Sequence, residues 1–302
     1  MRNLLSIGEL TRDDVERVLE TARALDGAEP LPALRGKLVL NLFYEASTRT
    51  SSSFELAARR LSAGTMTIRS SGSSADKGES LKDTVLTLSA YEPDVIVVRH
   101  PQAGAPAFVA RHTEAHVVNA GDGKHQHPTQ ALLDLYALHQ AYGRLEGLHV
   151  AVVGDVLHSR VARSLVQALA LVGARATLVG PPALLPRGIE ALGCQVATDI
   201  EAIAAADVVY VLRMQRERML PGASYVPSLQ EYTARWGITP ERVRPGQKVM
   251  HPGPMNRGVE IDARVADGPD SLVLEQVRAG LAVRMAVLHD LVAGEARLEA
   301  VA

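Results

Sequence analysis

Cysteine occurs once in the 302 residues, at Cys194, which excludes an intrachain disulfide and any thiolate-cluster metal site. Lysine occurs only at Lys37, Lys77, Lys82, Lys124 and Lys248, so arginine carries most of the positive charge. That bias fits a GC-rich genome or a thermophile and carries no functional information by itself. Neither sign of charge is in excess: the formal net charge is −2. A general nucleic-acid surface or an anionic-membrane surface is therefore not expected, and any anion chemistry is confined to a pocket. No apolar run approaches the ~18 residues of a membrane span. Glu9, Asp13 and Asp14 come before any signal-peptide core, so a cytoplasmic protein starting near Met1 is expected. There is no low-complexity linker and no internal repeat at the roughly 20–50-residue scale. The glycine fingerprint of a dinucleotide site is missing too. After Val152-Val153-Gly154 the chain reads Asp155-Val156-Leu157-His158-Ser159, without the G-x-G-x-x-G spacing.

What is present is apolar material for two cores. Hydrophobic residues make up 47% and charged residues 22%, and at ~150 residues per domain the length fits two domains. Short apolar runs alternate with amphipathic stretches, the sequence form of β-α units around parallel sheets. Strands are expected at Leu38-Tyr44, Thr65-Arg69, Val95-Arg99 and His116-Asn119, then at His149-Val153, Ala176-Val179, Gln195-Ala197, Val208-Leu212 and Lys248-Met250. Helices are expected at Thr11-Leu25, Ser51-Leu61, Gly78-Ala90, Phe108-His112, Thr129-Ala141, Val161-Val172 and Leu272-Leu291. The fold class is α/β: two consecutive domains, residues 1–143 and 144–302, each a mainly parallel sheet flanked by helices, with an active site in the cleft between them. The C-terminal helix is expected to pack back across one of the two.

Four segments carry chemistry. Ser47-Thr48-Arg49-Thr50 follows a strand and leads into a helix, so hydroxyls and backbone amides gather at a helix N-terminus. Arg49 adds a guanidinium able to grip two oxygens of a phosphate. From these four residues alone, an ordinary helix cap fits equally well. The loop from Arg69 to Glu79 is polar and carries Ser73 and Lys77, as an anion-closing loop or a plain surface loop would. Arg99-His100-Pro101 ends the third strand, where open α/β sheets bind ligands. Gly121-Asp122-Gly123-Lys124-His125-Gln126-His127-Pro128-Thr129-Gln130 leaves the fourth strand, with Pro128 suited to a first helical turn. No acidic or cysteine partner is spaced to make His125 and His127 a metal site. Three strand-end loops converge on one edge, each with a ligand for an anion or a carbonyl.

Together with Tyr44-Glu45-Ala46 and Lys77-Gly78-Glu79, these segments resemble the carbamoyl-phosphate half of the aspartate/ornithine carbamoyltransferase family. Val153-Gly154-Asp155 with Arg160, Arg213-Met214-Gln215-Arg216-Glu217 and His251-Pro252-Gly253-Pro254 resemble the amino-acid half, in the form that binds aspartate. The resemblance implies carbamoyl transfer from carbamoyl phosphate to L-aspartate, a step of de novo pyrimidine (UMP) biosynthesis, with no cofactor and no metal. It implies that Ser47, Thr48, Arg49, Thr50 and Arg99 hold the phosphate. Thr50, Arg99 and His127 would donate to the carbamoyl oxygen as it becomes negative, and a neutral imidazole N–H is enough for this. Gln130 contacts the carbamoyl nitrogen, and main-chain carbonyls at Gly253 and Pro254 orient it. Aspartate brings two carboxylates, which need separated cationic grips, supplied by Arg160 and Arg213 with Gln215 nearby. Lys77 neutralises both ligands, and Ser73 and Lys77 reach a neighbouring subunit's site in a homotrimer.

An ornithine carbamoyltransferase would carry a cysteine where this chain has His251-Pro252-Gly253-Pro254, and Cys194 lies in another segment. A carbamoyltransferase for another dicarboxylate is a further alternative. So is a non-catalytic scaffold subunit, although such a subunit has no need of Arg49, Lys77, Arg99 and His127 together. Two departures stand out: Ser51, where many relatives carry a basic residue, and Gly253, where some carry leucine. The Gly-Pro form of the loop resembles members that associate with dihydroorotase, which makes dihydroorotase, or a separate regulatory subunit, the partner to test for.

Overall fold

The computed structural model describes residues 1–69, 78–219 and 225–294. They fall into two compact units, one made of Met1–Tyr136 with the chain from Arg278 onward, the other of Ala137–Val277. The first break falls inside one long helix, and the C-terminal helix from Arg278 onward belongs to the first unit.

In the first unit α1 (Arg12–Leu25) precedes four strands, β1 (Leu38–Phe43), β2 (Gly64–Arg69), β3 (Val95–His100) and β4 (His116–Asp122). All pair in parallel, in the order β2-β1-β3-β4. The connecting helices are α2 (Thr48–Arg60), α3 (Leu81–Ser89) and α4 (Ala105–Ala110), and α5 (Pro128–Tyr142) leaves β4. β1 is buried from Val39 to Phe43, as an inner strand covered on both faces must be. Leu40 and Leu42 pack with Ile96 and Val98 of β3, Val85 and Leu88 of α3, and Val109 of α4. β2 lies at the sheet edge and nowhere becomes fully buried.

α2 begins at Thr48, earlier than the start near Ser51 expected from the sequence. Ser47 is its N-cap, accepting from the Thr50 amide at 3.4 Å, so Thr48, Arg49 and Thr50 are the first turn itself rather than a loop before it. Two threonines of low helix propensity, Thr48 and Thr50, hid this start; the cap supplies what propensity does not.

The second unit carries five parallel strands, β5 (His149–Val153), β6 (Arg175–Val179), β7 (Gln195–Ala197), β8 (Val208–Val211) and β9 (Lys248–Met250), in the order β7-β6-β5-β8-β9. Its helices are α6 (Arg160–Leu171), α7 (Leu229–Trp236) and the single turn α8 (Ala263–Ala266), and α9 (Val273–Val292) closes the chain. Ala151, Val153, Val179, Val209, Val211 and Val249 from the strands form the centre of one core cluster, with Ile203, Ile238 and Ile261 from the connections. No helix among the described residues is long and apolar enough to cross a membrane.

Parallel strands put every carboxyl end on one edge of their sheet. Each sheet reverses its winding once, between β1 and β3 in the first unit and between β5 and β8 in the second. Such a reversal opens a crevice outside the strand ends, where open α/β sheets bind ligands.

Candidate functional site

The β1/β3 reversal holds most of the first residue set. Phe43 lies opposite Arg99 in register, and the Tyr44 amide donates to the Arg99 carbonyl at 2.8 Å, which brings the chain entering α2 beside the end of β3. At the start of α2, Thr48 and Arg49 are exposed and Thr50 is buried. The positive dipole end of a 13-residue helix makes this a seat for an anion. The Arg99 side chain is only 15% exposed; its Nη1 donates to the Ala120 carbonyl at 3.2 Å and its Nε lies 3.5 Å from Glu45 Oε2. Glu45 thus holds the arginine at the strand end, a role its place in the motif did not reveal.

The β4–α5 connection is organised by Asp122, which is buried and accepts four hydrogen bonds. Asn119 Nδ2 and the Gln126 amide donate to Oδ1, both at 2.9 Å; the Gly104 amide at 2.7 Å and His125 Nδ1 at 3.0 Å reach Oδ2. Gly123 follows at φ +47°, and a Cβ there would lie 2.8 Å from the Ala103 nitrogen, so only glycine fits the turn. His127, buried, then opens α5, its carbonyl accepting from the Gln130 and Ala131 amides. Gln130 is buried on the first turn, and its Nε2 donates to Asp134 Oδ1 at 3.0 Å. His100, between these loops, has its pKa lowered by burial, against the opposing charges of Glu45 and Asp122. Its Nδ1 accepts from the Gln102 amide at 3.0 Å.

The β5/β8 reversal holds the second set. Gly154 leaves β5 at φ +124°, where a Cβ would meet the Tyr232 hydroxyl at 2.8 Å and the Leu212 carbonyl at 3.0 Å. Asp155, fully buried, joins the two strand ends: its Oδ1 lies 2.8 Å from His158 Nδ1, and its Oδ2 accepts the Gln215 amide at 3.1 Å. Arg160 is the first residue of α6, behind the Ser159 cap, and is buried. Arg213 follows β8, and both of its terminal nitrogens engage Glu217. At the end of β9, the Gly253 amide donates to His251 Nδ1 at 2.8 Å, Gly253 takes φ +62°, and the Gly253–Pro254 peptide is cis. A positive φ favours glycine at this position. His251 Nε2 lies 3.4 Å from Glu260 Oε1, both side chains fully buried.

The structure therefore gathers Ser47, Thr48, Arg49, Thr50, Arg99, His127 and Gln130 at the carboxyl edge of the first sheet, and Arg160, Arg213, Gln215, Gly253 and Pro254 at that of the second. Ser73 and Lys77 lie outside the described residues. Among the described residues no group of three or more His, Cys, Asp or Glu side chains could hold a metal ion. Sequence reasoning left Glu45, Asp122 and Asp155 without roles; each was visible only as an acidic residue inside a glycine- or serine-containing motif.

Two doubly wound units, each with arginines at its winding reversal, define a protein for two anionic ligands. The family model for the carbamoyl-phosphate-binding domain of aspartate/ornithine carbamoyltransferases matches residues 2–140, and that for the aspartate/ornithine-binding domain matches residues 146–291. The aspartate carbamoyltransferase catalytic subunit of Sorangium cellulosum is 55% identical over 97% of this chain and 93% of its own length. That of Syntrophotalea carbinolica is 50% identical over 99% and 97%. Among solved structures, aspartate transcarbamoylase from Trypanosoma cruzi in complex with N-(phosphonacetyl)-L-aspartic acid superposes with a TM-score of 0.86 at 31% identity, over 96% of each chain. The catalytic subunit of M. jannaschii aspartate transcarbamoylase gives 0.84 at 35%, over 98% of this chain and 100% of that one. The chain belongs to the aspartate/ornithine carbamoyltransferase family.

Proposed function

We propose that this chain transfers the carbamoyl group of carbamoyl phosphate to the amine of L-aspartate, giving N-carbamoyl-L-aspartate and phosphate for de novo pyrimidine (UMP) synthesis. The observation that carries this reading is the pair of winding reversals, one bearing a helix N-terminus with Arg49 and Arg99, the other bearing Arg160 and Arg213. The relatives' names support it, as does the T. cruzi enzyme, whose structures include complexes with carbamoyl phosphate and aspartate.

In this reading the start of α2 and Arg99 hold the phosphate. Attack by the aspartate amine on the carbamoyl carbon places negative charge on the carbamoyl oxygen, which accepts from Thr50, Arg99 and His127 as the bond to phosphate breaks. Phosphate is a good leaving group, so fixed donors suffice and no covalent enzyme intermediate is needed. Arg160 and Arg213 take the two aspartate carboxylates, with Gln215 beside them.

Ornithine has one carboxylate and a second amine, and the ornithine enzymes' loop cysteine has no counterpart here. Cys194 is buried immediately before β7, at the amino edge of the second sheet, opposite the edge where His251–Pro254 leaves β9. Product analysis with both amino acids tests the choice. The active unit in this proposal is a cytoplasmic homotrimer in which Ser73 and Lys77 complete a neighbour's site; the relatives' name, catalytic subunit, supports only an assembly of more than one chain. Full activity from a demonstrated monomer would rule it out. Dihydroorotase or a regulatory subunit is the partner class to test by co-purification.

A further inference from the structure

The loop that leaves β9, residues 251–256, carries two prolines, Pro252 and Pro254, which have no N–H to donate. Of the amides it does have, those of Gly253 and Asn256 are taken by side chains inside the second unit. The Gly253 amide donates to His251 Nδ1 at 2.8 Å, and the Asn256 amide donates to Glu260 Oε1 at 2.5 Å. Both acceptor side chains are fully buried, whereas Gly253 is half-buried and Pro254 is exposed. The loop thus sends donors inward while its middle reaches the surface.

The two acceptors are themselves fixed. Because Nδ1 accepts, the neutral His251 ring carries its proton on Nε2, and Nε2 lies 3.4 Å from the same Glu260 Oε1 that takes the Asn256 amide. The His251 amide donates to Gln276 Oε1 of α9 at 2.9 Å, which ties down the start of the loop. Without an acceptor at either place, the Gly253 or Asn256 amide would have to turn outward to reach water, and the loop would turn with it.

We propose that His251 and Glu260 are positioning residues for the carbamoyl end of the site: by holding the loop's amides inward they leave an edge of acceptors, the Gly253 and Pro254 carbonyls, for the substrate NH2. This rests on the carbamoyl-transfer reading, in which those carbonyls contact the carbamoyl nitrogen. Such an edge accepts from an NH2 group and offers nothing to a methyl group. Acetyl phosphate has the shape of carbamoyl phosphate with CH3 in place of NH2, so it probes that edge alone.

The test uses the assembled enzyme and measures the KM of carbamoyl phosphate, the inhibition constant of acetyl phosphate and the KM of aspartate. His251→Gln keeps a polar group toward Glu260 but has no acceptor at the Nδ1 position, whereas His251→Asn keeps one there. Glu260→Met removes the Oε1 acceptor at similar volume, whereas Glu260→Gln keeps it. Losing one oriented hydrogen bond is expected to raise the carbamoyl phosphate KM about tenfold in His251→Gln and in Glu260→Met. The acetyl phosphate constant and the aspartate KM are expected to stay within about twofold of wild type. His251→Asn and Glu260→Gln should recover most of the loss, to within about threefold of the wild-type KM. Each loss variant is paired with its conservative partner, so either residue decides the matter if the other's loss variant does not fold. Equal weakening of both phosphates, or no recovery in the conservative variants, would make His251 and Glu260 merely structural and overturn the proposal. So would a wild-type carbamoyl phosphate KM in both His251→Gln and Glu260→Met. A wild-type enzyme that forms no N-carbamoyl-L-aspartate would instead overturn the reading on which the proposal rests.

Discussion

Glu217 engages both terminal nitrogens of Arg213, the residue assigned to grip an aspartate carboxylate. If Arg213 grips aspartate as proposed, the substrate competes with an internal carboxylate. Burial pushes the Glu217 carboxyl up, but the hydrogen bond from Arg213 and the charges of Arg213 and Arg218 outweigh it, leaving the pKa lowered. Glu217 is therefore ionised at neutral pH, and the pair is present throughout neutral assays. The Glu217 side chain is 53% exposed, and exposed pairs contribute about 0–1 kcal/mol. Glu217→Gln is therefore expected to lower the aspartate KM by no more than about fivefold. Arg213→Ala should raise it by tenfold or more, as loss of a charge-assisted pair does, without moving the carbamoyl phosphate KM. Steady-state kinetics with each substrate varied checks both, and an unchanged aspartate KM in Arg213→Ala would remove the assignment.

Arg49→Ala and His127→Ala are expected to act on turnover. His127 is one of the donors to the developing oxyanion, and removing one such donor costs on the order of 10²–10³ in kcat; Arg49 acts on the departing phosphate, and its loss is likewise expected in kcat. A His127→Ala enzyme with normal kcat and a raised KM for carbamoyl phosphate would place the histidine in ground-state binding instead.

Much of this was legible in the sequence, and what was not has definite causes. Continuous apolar runs such as Leu38–Phe43 announce inner parallel strands, and Thr11 followed by Asp13 and Asp14 announces α1. Strand order is not encoded in periodicity, so the reversals that bring Ser47–Thr50 beside Arg99, and Arg160's loop beside Arg213's, needed the sheets themselves. The start of α2 was misplaced because Thr48 and Thr50 are poor helix formers held by the Ser47 cap. α7 was missed because Leu229–Trp236 is short and buries only Tyr232. Asp122 and Asp155 read as turn residues, since nothing in a sequence tells how many donors will converge on a carboxylate.

Asp122→Asn tests that convergence. The substitution keeps the volume but replaces an acceptor with a donor, so at least one of the four bonds is lost inside a buried turn. The expected loss is about 1.5–3 kcal/mol of stability by denaturant unfolding, accompanied by reduced turnover because His127 follows the turn. Wild-type stability in Asp122→Asn would show that the turn holds without the carboxylate.

The capping box of α1 sets a pH dependence at the acid end. The Thr11 backbone amide donates to Asp14 Oδ2 at 3.0 Å, and this bond, helped by Arg17 and the Thr11 hydroxyl and opposed by burial, lowers the Asp14 pKa from 3.8 to about 2. A depressed folded-state value means that the contribution is fully present above pH 3.8 and is lost as pH falls through about 2. Thr11→Ala removes one side of the box and is expected to cost about 1 kcal/mol at neutral pH. Asp14→Asn should flatten the acid limb of the stability curve between those two pH values. An acid limb identical to wild type in Asp14→Asn would show that other carboxylates set it.

The central claim is that the second site is built for two carboxylates and the first for carbamoyl phosphate. The most direct measurement offers the purified protein carbamoyl phosphate with equal concentrations of L-aspartate and L-ornithine, without added metal or nucleotide, and quantifies both carbamoylated products. N-carbamoyl-L-aspartate should form with stoichiometric phosphate, and citrulline should stay at background. Equal or faster formation of citrulline would contradict the account.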